Sequence, residues 1–456
     1  MTERPRRIVV TGASGNVGAG VLRALAEHEP GAEVIGVCRR PPTHGELYRG
    51  MRWHSVDLSS PSAAEQLEPA MRDADVVIHL ALAILPAHDA DYLYRANVSG
   101  TQAVLDAMVT GGVRHLVYAS SLGIYAPGIG APVEETWPTT GQPSSTYSRH
   151  KVLVETMLDA FELSHPDVVV ARFRPTVVVQ REAASEIRSL YVGPLVPRAA
   201  FTLLHRRLLP VLPLPHGLAL QFVHADDVGD AAVRLMQRGA RGSYNVAADP
   251  LEHADIAALV GARPVDVKPA LMRRVVSTLH RLRAVAVTPG WYDVATRSPI
   301  MDTSKARDEL GWRPVWSSTD AAHELIDGLA HGATGPSAAM GWTDDIRKAG
   351  PTAVDHVHDT TLLLWCVMAW ARGSAPGRPG VLHAAVIAAN LTSGTPAALT
   401  RVRERRRDPV ALLAPVAVGV AVLASLRGGR AAVAATSVLG GLGMAERRRT
   451  TRRANQ

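Results

Sequence analysis

The order of apolar and polar positions predicts alternating strands and helices in the first part of the chain. The short apolar run Ile8–Val10 leads into a glycine-rich turn, after which Val17, Val21, Leu22 and Leu25 follow at helical spacing. Further apolar runs occur in AEVIGVC, WHSVDL, DADVVIHLALAI and GVRHLVYASS, with helical patterns such as NVSGTQAVLDAMVTG between them. This alternation is typical of an α/β fold with a doubly wound parallel sheet of the Rossmann type. Ligands of such sheets bind outside the carboxyl ends of the strands.

The turn after the first strand contains the pattern G-x-x-G-x-x-G, formed by Gly12, Gly15 and Gly18. In this pattern the first glycine permits a sharp turn, the second lets backbone amides approach a pyrophosphate, and the third lets helix and strand pack closely. The helix N-terminus then offers free N–H groups to the anion. The position between a strand and a helix favours a dinucleotide site over an ordinary structural turn.

The second strand ends in Cys38, Arg39 and Arg40, where an acidic residue would bind the ribose 2′-hydroxyl of NAD. A carboxylate would repel a 2′-phosphate, whereas a guanidinium can hold one through two parallel hydrogen bonds. We therefore expect NADP to be favoured, with NAD as the alternative. The other interpretation is that the two arginines only solvate a loop.

The sequence TYSRHK places Tyr147 and Lys151 four positions apart in a predicted helix, so that they share one face. Of the 49 lysines and arginines only Lys151, Lys268, Lys305 and Lys348 are lysines, so a lysine here departs from the chain's preference for arginine. An ammonium beside the phenol is expected to lower the pKa of Tyr147 and make it a general acid or base. Taken alone, such a pair is more often an ordinary surface pair.

Polar residues near this helix complete a predicted catalytic site. Ser120 and Ser121 end the strand HLVYASS, where either hydroxyl could hydrogen-bond the substrate oxygen that Tyr147 protonates or deprotonates. Asn97 is expected to hold the lysine through water or to position its loop. No metal is predicted, since DHVHD at residues 355–359 is interpreted as a solvated helix start.

These motifs resemble the extended short-chain dehydrogenases/reductases, described broadly as NAD-dependent epimerases/dehydratases. The matching segments run in the family's order from residue 7 to about 330: TGASGNVG, VDL, VIHLAL, RANVSGT, YASSLGIY, YSRHK, RFRPT, FVHADDVGDAA, YNVAADP and DTSKARDELGWRP. The resemblance selects Ser121 over Ser120 and implies the catalytic set Ser121, Tyr147, Lys151 and Asn97. It implies that the cofactor is bound by Gly12, Ser14, Gly15, Asn16, Val17, Gly18, Arg39, Arg40, Asp57, Leu58, Leu80, Ala81, Tyr147, Lys151 and Pro175.

The resemblance leaves the reaction open. The family's sugar dehydratases carry acidic residues where this chain has Leu122 and Gly123, so net dehydration lacks its machinery. We expect hydride exchange at a carbinol or carbonyl carbon of a small molecule by an NAD(P)-dependent oxidoreductase. A redox-neutral nucleotide-sugar epimerase is the alternative, and a non-catalytic dinucleotide sensor or membrane scaffold is the rival of another class. The stretch VVVQREAASEIRSLYVGPLVPR departs from the family pattern and is expected to line the substrate pocket.

The composition of residues 351–456 differs from that of the predicted enzyme domain. We expect an extended short-chain dehydrogenase/reductase domain at 1–335 (cofactor part mainly 1–176, substrate part mainly 177–330), a linker at 336–350 and an apolar, basic-flanked helical region at 351–456. Residues 401–456 carry a balance of +9, so that residues 1–400 carry −2 of the overall +7, which argues against nucleic-acid binding. The apolar segments between residues 360 and 445 indicate either a membrane surface or hairpin association or a helical bundle. The expected location is cytoplasmic, and a homodimer is left open.

Overall fold

The computed structural model describes residues 4–84, 89–128, 130–192, 198–281 and 285–341 of the 456-residue chain. The chain divides into two units, Met1–Lys348 and Ala349–Gln456, and all of the described residues belong to the first. The predicted linker lies partly, and the predicted apolar C-terminal region wholly, outside the described residues. Within the described ranges no helix is long and apolar enough to cross a membrane.

A seven-stranded parallel sheet forms the centre of the first unit, with the strand order β10-β6-β5-β4-β1-β2-β3. The remaining strands form a three-stranded sheet, β11-β9-β7, and a two-stranded sheet, β12-β8. The strands are β1 Arg7–Thr11, β2 Glu33–Cys38, β3 Arg52–Ser55, β4 Val76–His79, β5 His115–Ala119, β6 Val169–Pro175, β7 Val177–Val179, β8 Val211–Pro215, β9 Leu220–His224, β10 Gly242–Val246, β11 Pro250–Leu251 and β12 Arg263–Val267.

Helices cover both faces of the large sheet, as the alternating pattern predicts. They are α1 Asn16–His28, α2 Ala63–Met71, α3 Ala90–Tyr94, α4 Gly100–Gly111, α5 Thr146–Ser164, α6 Ala184–Ile187, α7 Arg198–His205, α8 Ala225–Gln237, α9 His253–Leu259, α10 Pro269–Arg281, α11 Pro289–Arg297, α12 Ser304–Leu310 and α13 Ser318–His331. Two separate apolar cores result. One lies under α1 and α8 and includes Val10 and Phe173, and the other lies under α2, α4 and α5 and includes Val9 and Leu116.

The strand order determines where a ligand can bind. Strand β1 lies between β2 and β4, with Thr11 opposite both Val37 and His79. The chain crosses to opposite faces of the sheet from this central strand, and a crevice opens beyond its carboxyl end. In the apolar run DADVVIHLALAI, strand β4 ends at His79, and the chain then turns along this crevice.

Helices α1 and α8 touch through two glycines. A Cβ on Gly20 would lie 1.9 Å from the Ala225 carbonyl oxygen, and a Cβ on Gly229 would lie 2.2 Å from the Gly20 carbonyl oxygen. Both atoms belong to backbone, which cannot move as a flexible side chain would. The contact therefore fixes α1, and with it the glycine turn, against the rest of the sheet.

We predict that Gly229→Ala lowers the free energy of unfolding by about 1–3 kcal/mol, because the added methyl must push two helix backbones apart. Urea denaturation of the full chain would measure the change. Gly31→Ala is the control, since a Cβ there meets nothing within 4 Å, and it should change stability by less than about 0.5 kcal/mol. Equal effects of the two substitutions would contradict the prediction.

Candidate active site

A cavity of about 680 Å³ opens at the carboxyl ends of the central strands. Its size is typical of a cofactor or ligand site. All the residues expected to bind the cofactor line it: Gly12, Ser14, Gly15, Asn16, Val17, Gly18, Arg39, Arg40, Asp57, Leu58, Leu80, Ala81, Tyr147, Lys151 and Pro175. Ser121 lines it as well, whereas Asn97 does not. The structure thus brings together side chains that are up to 163 positions apart in the sequence.

The glycine turn has the shape that a pyrophosphate requires. Gly12 has φ +71°, and a Cβ on it would lie 2.7 Å from the Ala81 amide nitrogen. A Cβ on Gly18 would lie 2.5 Å from the Ala13 carbonyl oxygen. Gly15 is the residue before α1 and offers no side-chain cap, so no capping side chain accepts from the first amides of the helix, whose residues line the cavity. Free helix N-terminal amides of this kind bind phosphate groups, and the residues present therefore fit a dinucleotide.

Two arginines lie at the far end of the turn, beyond β2. Arg39 and Arg40 are exposed and line the cavity, and an Arg39 guanidinium nitrogen donates to the Tyr92 hydroxyl. Asp57 also lines the cavity, and its Oδ1 accepts from the Ser59 amide at 2.9 Å. The carboxylate that would repel a 2′-phosphate is therefore missing at the end of β2, although Asp57 supplies one after β3.

Helix α5 carries the predicted acid/base pair. Its N-terminus is capped by Ser145, whose side chain accepts from the Ser148 amide, and Tyr147 and Lys151 follow one turn apart. Burial raises the pKa of Tyr147 to about 12, against the opposing effect of the nearby Ser121 hydroxyl. The lowering of this pKa expected from the sequence is wrong for this structure, because desolvation of the phenol outweighs every favourable contact.

The contacts of Lys151 explain why the pKa of Tyr147 is not lowered. Its Nζ donates to the Ala119 carbonyl oxygen at 2.6 Å and to the Tyr118 hydroxyl at 3.1 Å, rather than to Tyr147. The side chain is buried, and burial lowers the pKa of Lys151 to about 7, against the opposing effect of Glu155. The ammonium is thus held at the carboxyl end of β5, beside the cavity that it lines.

The two serines after β5 have different partners. The Ser120 hydroxyl donates to Glu155, which also pairs with Arg174 at 2.5 Å inside the protein. The Ser121 oxygen accepts from the Gly123 amide at 3.0 Å, and Ser121 lines the cavity together with Tyr147. Both serines line the cavity, and the choice of Ser121, which the resemblance implied, stays a prediction.

Asn97 holds the loop that follows β4 through two hydrogen bonds. It lies in a π-helical turn, Arg95–Ser99, before α4. Its Oδ1 accepts from the Ala83 amide at 2.7 Å, and its Nδ2 donates to the Ala83 carbonyl oxygen at 2.8 Å. Of the two predicted roles, the positioning of a loop is the one that these contacts match, since the paired bonds hold the segment after β4 along the cavity.

Aromatic residues that were not predicted form part of the cavity wall. The rings of Tyr147 and Trp291 stack with centroids 4.5 Å apart, and Tyr191 meets Trp291 edge-on at 5.2 Å. Tyr191 comes from the stretch that was expected to line the pocket, and Trp291 from α11. The only sequence signal for them is that aromatic residues are scarce, at 5% of the chain.

Glu186 is a second residue that sequence reasoning missed. It lies in α6 and lines the cavity, and its Oε2 atom is buried without a hydrogen-bond partner among the described residues. Burial raises the pKa of Glu186 to about 7 from its ordinary value of 4.5. Between these two pH values the folded protein keeps a proton that the unfolded chain has released, so stability decreases as pH rises through this window.

We predict that Glu186→Gln stabilises the protein, and that the gain in unfolding free energy grows by roughly 2 kcal/mol between pH 5 and pH 8. The amide keeps the shape of the side chain and cannot ionise. Denaturation at several pH values would measure this, with Glu182→Gln as the control because Glu182 lies outside the cavity lining. A gain that does not depend on pH would contradict the assignment.

One polar cluster lies away from this cavity. Single ligand atoms of His205, Asp327 and His331 lie within 4.8 Å of one another, which the sequence analysis did not anticipate. Arg181 already pairs with Asp327 at 2.7 Å. The DHVHD segment at 355–359 lies outside the described residues.

Comparisons with known proteins agree with this architecture. Residues 8–247 match the model of the NAD dependent epimerase/dehydratase family. A UDP-glucose 4-epimerase from Azospirillum brasilense is 25% identical over 367 residues, which cover 75% of this chain and 93% of that protein. Two solved UDP-glucose 4-epimerases share the fold. The one from Stenotrophomonas maltophila, with bound NAD and formylated UDP-arabinopyranose, has TM-score 0.54 and 20% identity and covers 72% of this chain and 98% of that one. The one from Thermotoga maritima, with UDP-glucose, has TM-score 0.53 and 19% identity. That match covers 72% of this chain and 99% of the Thermotoga maritima chain.

The chain belongs to the NAD dependent epimerase/dehydratase family, within the extended short-chain dehydrogenases/reductases. It is an NAD-dependent enzyme with a Rossmann fold. The predictions of fold class and family are confirmed. The roles of the individual site residues, the domain boundaries, the homodimer and the absence of nucleic-acid binding remain predictions.

Proposed function

We propose that this enzyme is a net NAD(P)-dependent oxidoreductase that exchanges a hydride at a carbinol or carbonyl carbon of a small, uncharged molecule. The observation that supports this most is the convergence of Ser121, Tyr147 and Lys151 on the cavity that the glycine turn opens. Within this cavity the bound nicotinamide would supply or accept the hydride. The residues of the chain would orient the substrate and handle its proton.

Each of the three residues has a separate task in this proposal. Tyr147 is protonated at neutral pH, because burial holds its pKa near 12, so it is ready to donate a proton to a carbonyl oxygen that is being reduced. Ser121 hydrogen-bonds the same oxygen and directs it toward the phenol. Lys151 places a positive charge beside the ribose of the dinucleotide, and that charge favours the tyrosinate left after proton transfer.

The alternative is redox-neutral epimerisation of a nucleotide sugar, which the similarity to UDP-glucose 4-epimerases favours. A nucleotide sugar carries a diphosphate, and proteins bind such groups with cations. Among the described residues that line the cavity, the lysines and arginines are Arg39, Arg40 and Lys151, which are all assigned to the dinucleotide here. The lining also includes Glu186 and aromatic rings, and a carboxylate would repel a diphosphate. We therefore favour an uncharged substrate.

The non-catalytic alternative, in which the protein is a sensor or scaffold that binds the dinucleotide without turnover, has less support than an enzyme. A binding module needs the glycine turn but neither the phenol nor the serine beside it. The placement of Ser121 and Tyr147 in the lining of one cavity is an arrangement that proton transfer uses.

We predict that Tyr147→Phe keeps its affinity for NADPH and NADH within about threefold and loses turnover by roughly 10²–10⁴-fold, the contribution typical of a general acid. Turnover would be followed through nicotinamide absorbance, with cyclohexanones, tetralones and acetophenones as probes. Tyr94→Phe is the matched control, because this exposed tyrosine lies outside the cavity lining.

Two results would overturn the proposal. Unchanged turnover in Tyr147→Phe would remove the acid/base assignment. Interconversion of UDP-glucose and UDP-galactose by the wild-type enzyme, with no reduction of any ketone, would establish the epimerase alternative instead.

The preference for NADP is a separate proposal that depends on Arg39 and Arg40. Both guanidinium groups lie at the cavity edge beyond β2, where the adenosine ribose of a dinucleotide would be. Their charge would pair with a 2′-phosphate, whereas NAD offers only a hydroxyl at the same place.

We predict that an Arg39→Ala, Arg40→Ala double variant binds NADPH at least about tenfold more weakly and binds NADH almost as the wild type does. Isothermal titration calorimetry with each dinucleotide would measure both affinities. Arg49→Ala controls for the loss of positive charge, since Arg49 lies outside the cavity lining and pairs with Glu46. Tighter binding of NADH than of NADPH by the wild type would refute the preference.

A further inference from the structure

We infer that Glu186 is a specificity-determining residue that hydrogen-bonds a hydroxyl group of the substrate at a position away from the reacting carbon. The inference rests on the proposed function, because it assumes that the substrate occupies the cavity beside Tyr147. It assigns the substrate a class: an uncharged ketone or secondary alcohol with a mainly apolar skeleton and one further hydroxyl.

The first support is the position of the carboxyl group. Asp57 and Glu186 are the acidic residues among the described cavity lining, and Asp57 belongs to the dinucleotide end. Around Glu186 the lining is apolar or aromatic and includes Ile187, Leu190 and Tyr191. A single polar group in an apolar wall is the usual means by which a pocket orients its ligand.

The second support is that nothing in the described protein satisfies this carboxyl group. Its Oε2 atom is buried and has no hydrogen-bond partner there. A buried carboxyl without a partner costs folding free energy, and native proteins keep few such groups. A carboxyl that only supported α6 would be expected to cap a helix or bond a backbone amide, and Glu186 does neither.

The third support concerns distance from the chemistry. Tyr147 stacks on Trp291, and Tyr191 meets the same Trp291 ring edge-on. Glu186 precedes Tyr191 by five positions and lines the same cavity, but no ring contact or hydrogen bond joins it to Tyr147 among the described residues. A substrate whose reacting oxygen meets Tyr147 would reach Glu186 with another part of its skeleton.

A hydroxyl is the group that this site suits best. The pKa of Glu186 lies near neutrality, so the carboxyl is present in both protonation states under ordinary conditions. A hydroxyl donates to the carboxylate and accepts from the carboxylic acid, so it can bind either state. An ammonium would bind only the carboxylate and an additional carbonyl only the acid, while an anion would be repelled by the ionised form.

The test compares ketones that differ by one group. Cyclohexanone and 2-tetralone are the parents, 4-hydroxycyclohexanone and 6-hydroxy-2-tetralone add a hydroxyl at two distances, and 4-aminocyclohexanone adds an ammonium. Binding would be measured by ligand-observed NMR on the Tyr147→Phe protein loaded with NADPH, which separates affinity from turnover. We expect at least one hydroxylated probe to bind about tenfold more tightly than its parent.

Variants of Glu186 test whether this residue causes the tighter binding of the hydroxylated probes. In the same background Glu186→Leu should reduce the hydroxyl advantage to less than about twofold, and Glu186→Gln should keep part of it, because an amide still forms hydrogen bonds. Glu182→Gln should keep all of it, and NADPH affinity should be unchanged in each variant, which shows that the cavity is intact.

The inference is overturned if no hydroxylated probe binds better than its parent, if the advantage persists in Glu186→Leu, or if the ammonium probe binds best. Its failure can be told apart from failure of the proposed function. Wild-type enzyme that reduces the parent ketones while showing no hydroxyl effect removes only the role of Glu186. A Glu186-dependent hydroxyl effect without turnover of any ketone removes only the oxidoreductase proposal.

Discussion

The buried ion pair between Glu155 on α5 and Arg174 on β6 is the interaction on which the catalytic geometry depends. The Arg174 Nε donates to Glu155 Oε1 at 3.0 Å and Nη2 donates to Oε2 at 2.5 Å, with both side chains almost completely enclosed. A buried charge that loses its partner is strongly destabilising, so the two residues hold a fixed relative position. Because Lys151 precedes Glu155 by one helical turn, this pair also fixes the ammonium beside Ala119, and Tyr147 one turn further on.

The same arginine joins parts of the chain that appear unrelated in the sequence. Its Nη1 donates to the Tyr125 hydroxyl at 3.0 Å, and that hydroxyl donates to Asn245 Oδ1 at 2.6 Å. The segments YASSLGIY, RFRPT and YNVAADP, which carry the family resemblance, therefore meet in one buried network behind the catalytic helix. The polar residues of these three motifs have a common physical role, because each polar atom that is buried in this network needs a hydrogen-bond partner.

The parts of the fold that were predictable are those with a short-range signal. Strand and helix alternation, the turn at Gly12 and the helical spacing of Tyr147 and Lys151 are visible within a few residues of sequence, and the structure contains all of them. The pKa values were not predictable. Helical spacing places the ammonium and the phenol on one face, but the Ala119 carbonyl, which comes from another element, decides where the Lys151 ammonium points.

Glu186 and Trp291 escaped prediction for a different reason. Each lies in a short helix without a recognisable motif, and only the tertiary fold brings both to the cavity wall. The stretch around Glu186 could be expected to line the pocket because it departs from the family pattern, but a departure does not indicate which of its side chains points inward. Burial is a property of the folded chain, and it turned an ordinary glutamate into an unpaired one.

The two ends of the cavity consequently differ in charge, and this difference limits the chemistry. Arg39 and Arg40 make the adenosine end positive, whereas the lining around Tyr147 and Glu186 offers aromatic rings and one carboxyl group. Burial acts in the same direction on all the titratable groups between the ends, since it favours a neutral phenol, a neutral amine and a neutral carboxylic acid. A site that disfavours isolated charge in this way suits a neutral carbonyl compound better than a diphosphate ester. In the proposed reduction, a phenol that keeps its proton would donate it as the carbonyl becomes an alcohol.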